Sequence, residues 1–527
     1  MKRLAAMAAM ATGILLAATS AQAQRTAYGK YIRAARALNE WRFDDARKLI
    51  TKLTAQKPRA KETRYLRAEM AFLDGNYPMS LKLLQGMKDD AVAGNVGQLR
   101  RLATSTYSVT KGYAHKQSAK GHFVIYYKPG KDELLVGLAG DVLERAYDRL
   151  GKDFGFFPPE KVRVEVLSRP AELAKLSTLT EREIETTGTI ALCKYGKLML
   201  VTPRAAIFGY PWMDTLTHEY VHYIVARLSR DRVPVWLHEG LARYQETRWR
   251  APPTKKLSAI DAHRLATALA KHKLITFKAM HPSMAKLPSQ AAAALAFAEV
   301  QSLIMYLHGK LGYEGFRQII ARIRDGKSAM RAVGEVSKTR WSTVEARWKA
   351  FLRAQKPTIS RALIGRAHSR RIRFRKGGKK NDNVGLDEVR SKAAKRFAKL
   401  GGLLRSRGMA AAAAVEYEKA LAFAPGDPFI SSKLSHTYLQ LQRYEAAIKL
   451  AKPLLSLDEN DAAPPTVLGA AYLATGKHEK AKTAFEHALR ISPFDPRVRC
   501  GLAEAYSNLA DPRVKREREA CRRLRAP

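Results

Sequence analysis

Two short segments of the 527-residue chain carry side chains whose types and spacing suit metal chemistry. The first contains His218, Glu219 and His222, and the second places Glu239 seventeen residues after His222. Residues four apart on a helix share one face, so His218 and His222 can direct imidazole nitrogens to one point. Glu219 lies one position round, where it can act on a water that the metal activates. The pattern predicts a site for one Zn²⁺ ion per chain, with Glu219 as the catalytic general base.

The third ligand decides which class of zinc enzyme the pattern fits. A metzincin would need Gly three residues and His six residues beyond His222. Val225 and Leu228 occupy those positions, which excludes that class. No Cys or Asp in the next helix competes convincingly with Glu239 for the third place.

The segment around Glu239, Pro-Val-Trp-Leu-His-Glu-Gly-Leu-Ala, resembles the second motif of gluzincin metallopeptidases of the M1-like, peptidase MA type. The resemblance covers roughly residues 121–357. It implies an α+β zincin-type domain with a helical tail, which hydrolyses peptide bonds. It also implies that His218, His222 and Glu239 are the zinc ligands.

One departure from the family concerns the group that stabilises the oxyanion. Relatives often carry a Tyr in the helical tail, where this chain has Phe297. Tyr223 and Tyr244 are candidate substitutes, and a place in the core or at the rim is the alternative for each. His238 points about 100° away from Glu239 on an ideal helix, so we expect it beside the site or in solvent. Weak or absent turnover therefore stays an alternative.

The elements that must position the site alternate between strand and helix. Residues 121–127 and 161–167 have strand patterns, and residues 134–150 between them have helical periodicity. Residues 190–201 predict a hairpin that turns at Tyr195-Gly196, and its free edge could hold an extended peptide. From residue 257 to 352 the pattern is helical throughout.

Repeats are predicted on both sides of this domain. Leucines recur every 34 residues, and tyrosines keep the same period, at Leu400, Leu434, Leu468, Leu502, Tyr438, Tyr472 and Tyr506. The C-terminal part resembles three tetratricopeptide repeats plus a final helix. A weaker 34-residue echo near the N-terminus resembles a degenerate pair, with a plain helical bundle as the alternative. Such arrays bind a peptide or partner protein on their concave face.

We predict a mostly α multidomain protein with α-solenoid regions. In chain order the segments are a signal peptide at 1–23, an N-terminal helical, degenerate repeat-like region at 24–115, a gluzincin-like metallopeptidase domain at 116–356, a basic linker at 357–392, a C-terminal tetratricopeptide array at 393–511 and a basic tail at 512–527.

Export is expected from the first segment. Lys2 and Arg3 precede an apolar stretch at 4–18 and a small-residue cleavage site at 21–23. We expect a periplasmic or secreted protein, soluble after signal cleavage, and no later stretch apolar enough to span a membrane. Of the three cysteines, Cys500 and Cys521 are the nearer pair; a disulfide and unpaired buried thiols are both open.

The formal net charge of +46 favours anionic partners. The densest basic run lies in the linker at 370–380 and could bind an anionic membrane surface or a polyanion, with a solvated linker as the alternative. No nucleic-acid-binding motif accompanies the charge, so we do not expect that partner. Two functions remain: an exported zinc endopeptidase whose repeats dock substrate or partner proteins, and a repeat scaffold with an inactive or structural zinc domain.

Overall fold

The computed structural model describes residues 28–89, 95–281, 283–284, 287–354, 372, 374 and 385–526. The predicted signal peptide at 1–23 lies outside these ranges. The described chain is mostly helical with one five-stranded sheet, which confirms the predicted fold class.

The N-terminal region contains two consecutive helix pairs and one further helix. These are α1 (28–39), α2 (Phe43–Gln56), α3 (Lys61–Leu73), α4 (Tyr77–Leu84) and α5 (Val96–Thr110). The positions that carry the 34-residue echo are all buried where these helices meet, namely Ala34, Ala46, Ile50, Ala68, Ser80 and Leu84. The echo therefore marks positions at which these helices pack together.

The sheet lies in the central domain. Its strands are β1 (Ala114–Gln117), β2 (Phe123–Tyr127), β3 (Val162–Leu167), β4 (Ala191–Lys194) and β5 (Lys197–Val201). Their spatial order is β1-β2-β3-β5-β4; β2, β3 and β5 run parallel, and the two edge strands are antiparallel to their neighbours. β4 is thus an edge strand next to the site.

The predicted strands and hairpin are present, and β1 is an addition. The hairpin between β4 and β5 turns at Tyr195 (φ 56°) and Gly196 (φ 68°). Two successive left-handed residues are what a tight two-residue hairpin turn requires, so the turn is encoded locally. β1 is short and mostly exposed, and no apolar alternation marked it in the sequence.

Helices cover the sheet and carry the site. They are α6 (Glu133–Phe154), α7 (Pro170–Leu176), α8 (Glu181–Thr187), α9 (Trp212–Ser229) and α10 (Val235–Gln245). α9 is buried along most of its length and packs against α6, α10, β4 and β5. This places the His218–His222 face beside the edge strand.

A helical tail completes the central domain. It contains α11 (Ala259–Ala270), α12 (Gln290–Arg324), α13 (Ala329–Val336) and α14 (Trp341–Ala354). By length and composition, residues 291–324 of α12 would be long and apolar enough to cross a membrane, so the expectation that no later stretch qualifies is wrong. Half of the most apolar window is buried inside the protein, which accounts for its composition.

Two residues of the basic linker contact the central domain. Phe374 forms an isolated antiparallel bridge with Ala206, and Ile372 lies against Gly188. Both side chains are half-buried, and they are the apolar residues inside the basic run. At these two positions the expectation of a solvated linker is wrong; the other residues of 355–384 lie outside the described ranges.

The C-terminal array contains four helix pairs. They are α15 (Lys392–Ser406) with α16 (Ala410–Phe423), α17 (Pro428–Gln440) with α18 (Tyr444–Leu457), α19 (Ala463–Ala474) with α20 (His478–Leu489), and α21 (Pro496–Asn508) with α22 (Val514–Arg525). The predicted basic tail after residue 511 is therefore wrong. α22 buries Glu517 and Ala520, and a disulfide joins Cys521 to Cys500 of α21.

The array packs directly against the central domain at the start of α9. The Trp212 indole nitrogen donates to the carbonyl of Leu489 (3.2 Å), and the backbone nitrogen of Tyr210 donates to the carbonyl of Ile491 (3.1 Å). Trp212 is fully buried in a core that both units share. The N-terminus of the helix that carries His218 is therefore fixed by the repeats.

The N-terminal region also packs against the central domain. The Tyr77 hydroxyl donates to Glu165 of β3 (2.8 Å), and the Lys197 ammonium of β5 pairs with the same carboxylate (2.8 Å). Both members of that ion pair are almost fully buried. Burial opposes the charge on Glu165, and the neighbouring Lys197 and Arg163 leave its pKa below the usual value.

Candidate metal centre

Three predicted ligands from two helices converge on one point. The Nε2 atoms of His218 and His222, both on α9, lie 3.1 Å apart. Oε2 of Glu239, from α10, lies 3.3 Å from the first nitrogen and 3.5 Å from the second. All three side chains are mostly buried but retain some exposure.

These distances fit a tetrahedral zinc ion. Zinc binds imidazole nitrogen and carboxylate oxygen at about 2.0–2.1 Å, which spaces tetrahedral ligands about 3.3 Å apart. The observed separations of 3.1, 3.3 and 3.5 Å bracket that value. Two imidazoles and one carboxylate are also the donor set of several catalytic zinc sites. The residues present therefore suit zinc.

The residue after the candidate ligand Glu239 is a glycine because α12 leaves no room for a side chain there. A Cβ atom at position 240 would lie 2.8 Å from the Ile304 side chain and 3.1 Å from the Val300 carbonyl of α12. A side chain there would push α10 away from the tail helix. The Glu-Gly pair thus combines a ligand with the close helix packing that holds it.

Both histidines have a partner on the side away from the ligands. Nδ1 of His218 lies 3.4 Å from Glu246, whose carboxylate also accepts from Arg243. Nδ1 of His222 is hydrogen-bonded to Nδ1 of His238. Such outer hydrogen bonds fix the tautomer and rotation of a metal-binding imidazole.

The sequence predicted the position of His238 beside the site, but it did not predict that of Glu246. His238 lies beside the site, as expected, and burial together with the neighbouring His222 lowers its pKa to about 3. It is therefore neutral and can accept a hydrogen bond. Glu246 was missed; its one signal was a position seven residues after Glu239, which is two helical turns along the same face.

Glu219 lies on α9 between the ligands and the edge strand. It is 6% exposed, and its carboxylate accepts a hydrogen bond from the backbone of Cys193 on β4. Burial raises the pKa of Glu219 above the usual value for a carboxyl group. A buried carboxylate of raised pKa next to the ligands has the properties of a general base.

The candidate oxyanion donors are Tyr223 and Tyr244, and the hydroxyl group of each is hydrogen-bonded to other residues. The Tyr223 hydroxyl donates to Glu160 and accepts from Arg227, and Tyr223 is 1% exposed. The Tyr244 hydroxyl is bonded to Nδ1 of His308 (3.0 Å). The structure therefore supports neither tyrosine in that role. The contacts with Glu160 and His308 could not be foreseen from the sequence, because these partners are distant along the chain.

Family comparisons agree with this geometry. Residues 145–354 match the peptidase MA superfamily, a range that includes α9, α10 and the helical tail. The chain contains a peptidase MA superfamily domain. Residues 432–461 and 466–495 match the tetratricopeptide repeat, so the peptidase MA domain is joined to such repeats as predicted.

Individual proteins are similar to this chain over parts of different length. The Hsp70-Hsp90 organizing protein of Triticum aestivum is 30% identical over 112 residues, which are 21% of this chain. The chain spans about a fifth (19%) of the length of that curated relative. Among solved structures, the P58(IPK) TPR domain is 12% identical, with 92% of this chain and 98% of that chain covered and a TM-score of 0.23. A crystal structure of MamA is 19% identical to this chain. The match covers 29% of this chain and 94% of that chain, with a TM-score of 0.23.

Proposed function

We propose that this protein is a zinc-dependent peptidase whose repeats dock substrate or partner proteins. One observation carries the proposal: His218, His222 and Glu239 converge at zinc-ligand spacing. Glu219 lies next to them, buried and available as a base. A purely structural metal site has no need for a carboxylate at that position.

Each side chain has a distinct part in the proposed hydrolysis. Zinc held by the three ligands would supply Lewis acidity towards the scissile carbonyl and a lowered pKa for water. Glu219 takes a proton from the attacking water and passes it to the leaving amine. His238 and Glu246 hold the two imidazoles in the tautomer that presents Nε2 to the metal.

The edge strand supplies a way to hold the peptide. β4 pairs with β5 on one side, and within the described residues no strand pairs with its other side. An extended peptide can add to that edge through backbone hydrogen bonds, directly beside Glu219. This geometry favours cleavage within a chain, as in an endopeptidase.

The proposed location is outside the cytosol, in the periplasm or secreted. The predicted signal peptide supports export, and the Cys500–Cys521 disulfide suits an oxidising compartment. The net charge of +46 supports contact with an anionic membrane surface or polyanion, and no motif supports nucleic acid.

A peptide-library digest tests the proposed hydrolysis. The full-length chain without residues 1–23 should cleave peptides, and Glu219→Gln should abolish cleavage while zinc remains bound. Glu299→Gln is the matched control, because Glu299 is a 1% exposed glutamate of the same domain outside the site. It should retain cleavage. Full activity of Glu219→Gln would disprove the mechanism.

A repeat scaffold with an inactive zinc domain is the second candidate. It is favoured by Phe297, which has no hydroxyl, and by the engagement of both candidate tyrosines elsewhere. Loss of one oxyanion donor typically lowers turnover about 10²-fold or more. Stoichiometric zinc without any cleaved peptide would favour the scaffold.

A further inference from the structure

The first helix of the C-terminal array exposes two leucines and an arginine along one face. On α15, Arg396, Leu400 and Leu403 follow the i, i+4, i+7 spacing of one helical face. Leu400 is 44% exposed and Leu403 is 45% exposed. We call these three residues the end stripe.

The same stripe is buried in every later repeat. Stepping by 34 residues gives the equivalent positions on the first helix of each following pair. All of them are buried: Ile430, Leu434 and Thr437 on α17; Pro464, Leu468 and Ala471 on α19; Val498, Leu502 and Ala505 on α21. The end stripe is therefore an inter-repeat contact surface.

Helices of the preceding repeat cover those equivalent positions. α17 packs against α16, α19 against α18, and α21 against α20. Within the described residues no helix pair precedes α15 in the array, and the short turn Leu386–Glu388 packs against it. A solenoid end with an apolar outer face calls for a capping element, and the geometry of the other repeats makes that element a helix.

The positive charge of α15 indicates which kind of helix would cover it. α15 contains five Lys or Arg residues and no Asp or Glu. Lys395 is paired with Asp387 (3.1 Å), while Arg396 and Lys399 are exposed beside the two leucines. A second copy of this chain, at a net charge of +46, would be repelled. An acidic helix would be attracted.

We propose that the end stripe docks an acidic amphipathic helix from a partner protein. The helix lies along α15 where the second helix of an earlier repeat would lie. Its apolar face covers Leu400 and Leu403, and its carboxylates face Arg396 and Lys399. This binding site lies at the end of the array, apart from its concave face, and does not depend on the proposed hydrolysis.

The array offers a matched control for exposed apolar area. Met409 is 52% exposed and Val415 is 48% exposed, on the same helix pair as the end stripe. Their equivalents in the next two repeats are exposed as well, namely Arg443, Lys477, Lys449 and Thr483. In these three repeats both columns face solvent, so Met409 and Val415 should not take part in docking.

Binding of a synthetic helix tests the proposal. The probe is a fluorescent amphipathic peptide with a leucine stripe and glutamates elsewhere, titrated with the full chain lacking residues 1–23. We expect binding that Leu400→Asp/Leu403→Asp weakens at least about tenfold. Met409→Asp/Val415→Asp should bind like the unchanged protein, and a probe with lysines for glutamates should not bind.

Several results would overturn the proposal. These are no binding of the glutamate probe, equal weakening by both double variants, or equal binding of the lysine probe. A wild-type dimer that Leu400→Asp/Leu403→Asp dissociates would show that a second copy covers the stripe, and would also overturn it. Circular dichroism confirms that both double variants remain folded, because all four positions are exposed.

Discussion

His222 and His238 meet through ring nitrogens that face away from the ligand cluster. If Nε2 of His222 binds the metal, its Nδ1 carries a proton. That N–H group then donates a hydrogen bond to Nδ1 of His238. His218 has the corresponding contact with Glu246. Each imidazole is thus held from both sides, which limits its rotation and fixes its tautomer.

Removing either outer partner should weaken zinc binding. His238→Phe leaves Nδ1 of His222 without an acceptor, and Glu246→Gln removes the charge beside His218. We predict that zinc affinity falls about 10- to 100-fold in each variant. Competition with a chromogenic chelator measures this, with His263→Phe on α11 as the control. Wild-type affinity in both variants would contradict the positioning role.

Glu299 provides a pH dependence of stability separate from the site. It is 1% exposed, and burial raises its pKa to about 8 although the backbone nitrogen of Ile275 donates to it. The folded state therefore keeps a proton that the unfolded state releases above about pH 4.5. The free energy of unfolding should fall as pH rises from about 4.5 to 8, by a few kcal/mol at most.

Urea denaturation between about pH 5 and pH 8 measures that effect. Glu299→Gln should flatten the fall, because its amide does not titrate. Glu314→Gln, an exposed glutamate on the same helix, should leave the fall unchanged. An identical slope in wild type and Glu299→Gln would show that Glu299 is ionised in the folded protein.

The sequence predicted which three side chains converge at the candidate metal centre, and it did not predict the residues that surround them. Helical spacing is a local property, so the shared face of His218 and His222 followed directly from the chain. The third ligand came from a motif resemblance. Glu160 lies 63 residues from Tyr223 and His308 lies 64 residues from Tyr244, and no short-range pattern reports such contacts.

At the scale of elements, α22 shows how a charged segment can be structural. Its residues are mostly Lys, Arg and Glu, which predicted a tail. Yet Glu517 is fully buried against Arg499 of α21 (2.6 Å), and Arg499 also donates to the Leu134 carbonyl of the central domain (3.2 Å). Arg499 thus links the last repeat, through Glu517, to the central domain, through Leu134.

Breaking this buried pair should be costly. Arg499→Met leaves Glu517 buried with only Arg516 as partner, so we predict a loss on the order of 3 kcal/mol in the free energy of unfolding. Lys477→Met removes the exposed pair with Glu445 and should cost less than about 1 kcal/mol. Urea denaturation compares the two; equal losses would contradict the structural role of α22.

Elements with a local signature were predicted and those without one were not. The β4–β5 hairpin followed from two strand-like segments that flank the turn residues Tyr195-Gly196, and the repeats followed from their 34-residue columns. β1 and α22 lacked such a signal. They form because a neighbour is present: β2 for the strand, and α21 with its disulfide for the helix.

At the scale of the molecule, the N-terminal region and the C-terminal array both pack against α9, the helix that carries His218 and His222. Trp41 of the N-terminal region packs edge-on against Tyr223 of α9, with ring centroids 5.9 Å apart. The repeats bond to Trp212 at the start of the same helix. The sequence predicted flanking repeats but not these contacts, since packing between distant segments leaves no periodic trace. The repeats lie against the beginning of α9.

Zinc content of the full-length chain lacking residues 1–23 is the most direct test of the account. Elemental analysis after exhaustive dialysis should find one zinc per chain in the wild type and in Glu219→Gln. Glu239→Ala and His222→Ala should retain little zinc, because each removes one of three ligands. The absence of zinc from the wild type, or its full retention in Glu239→Ala, would contradict the proposed metal centre.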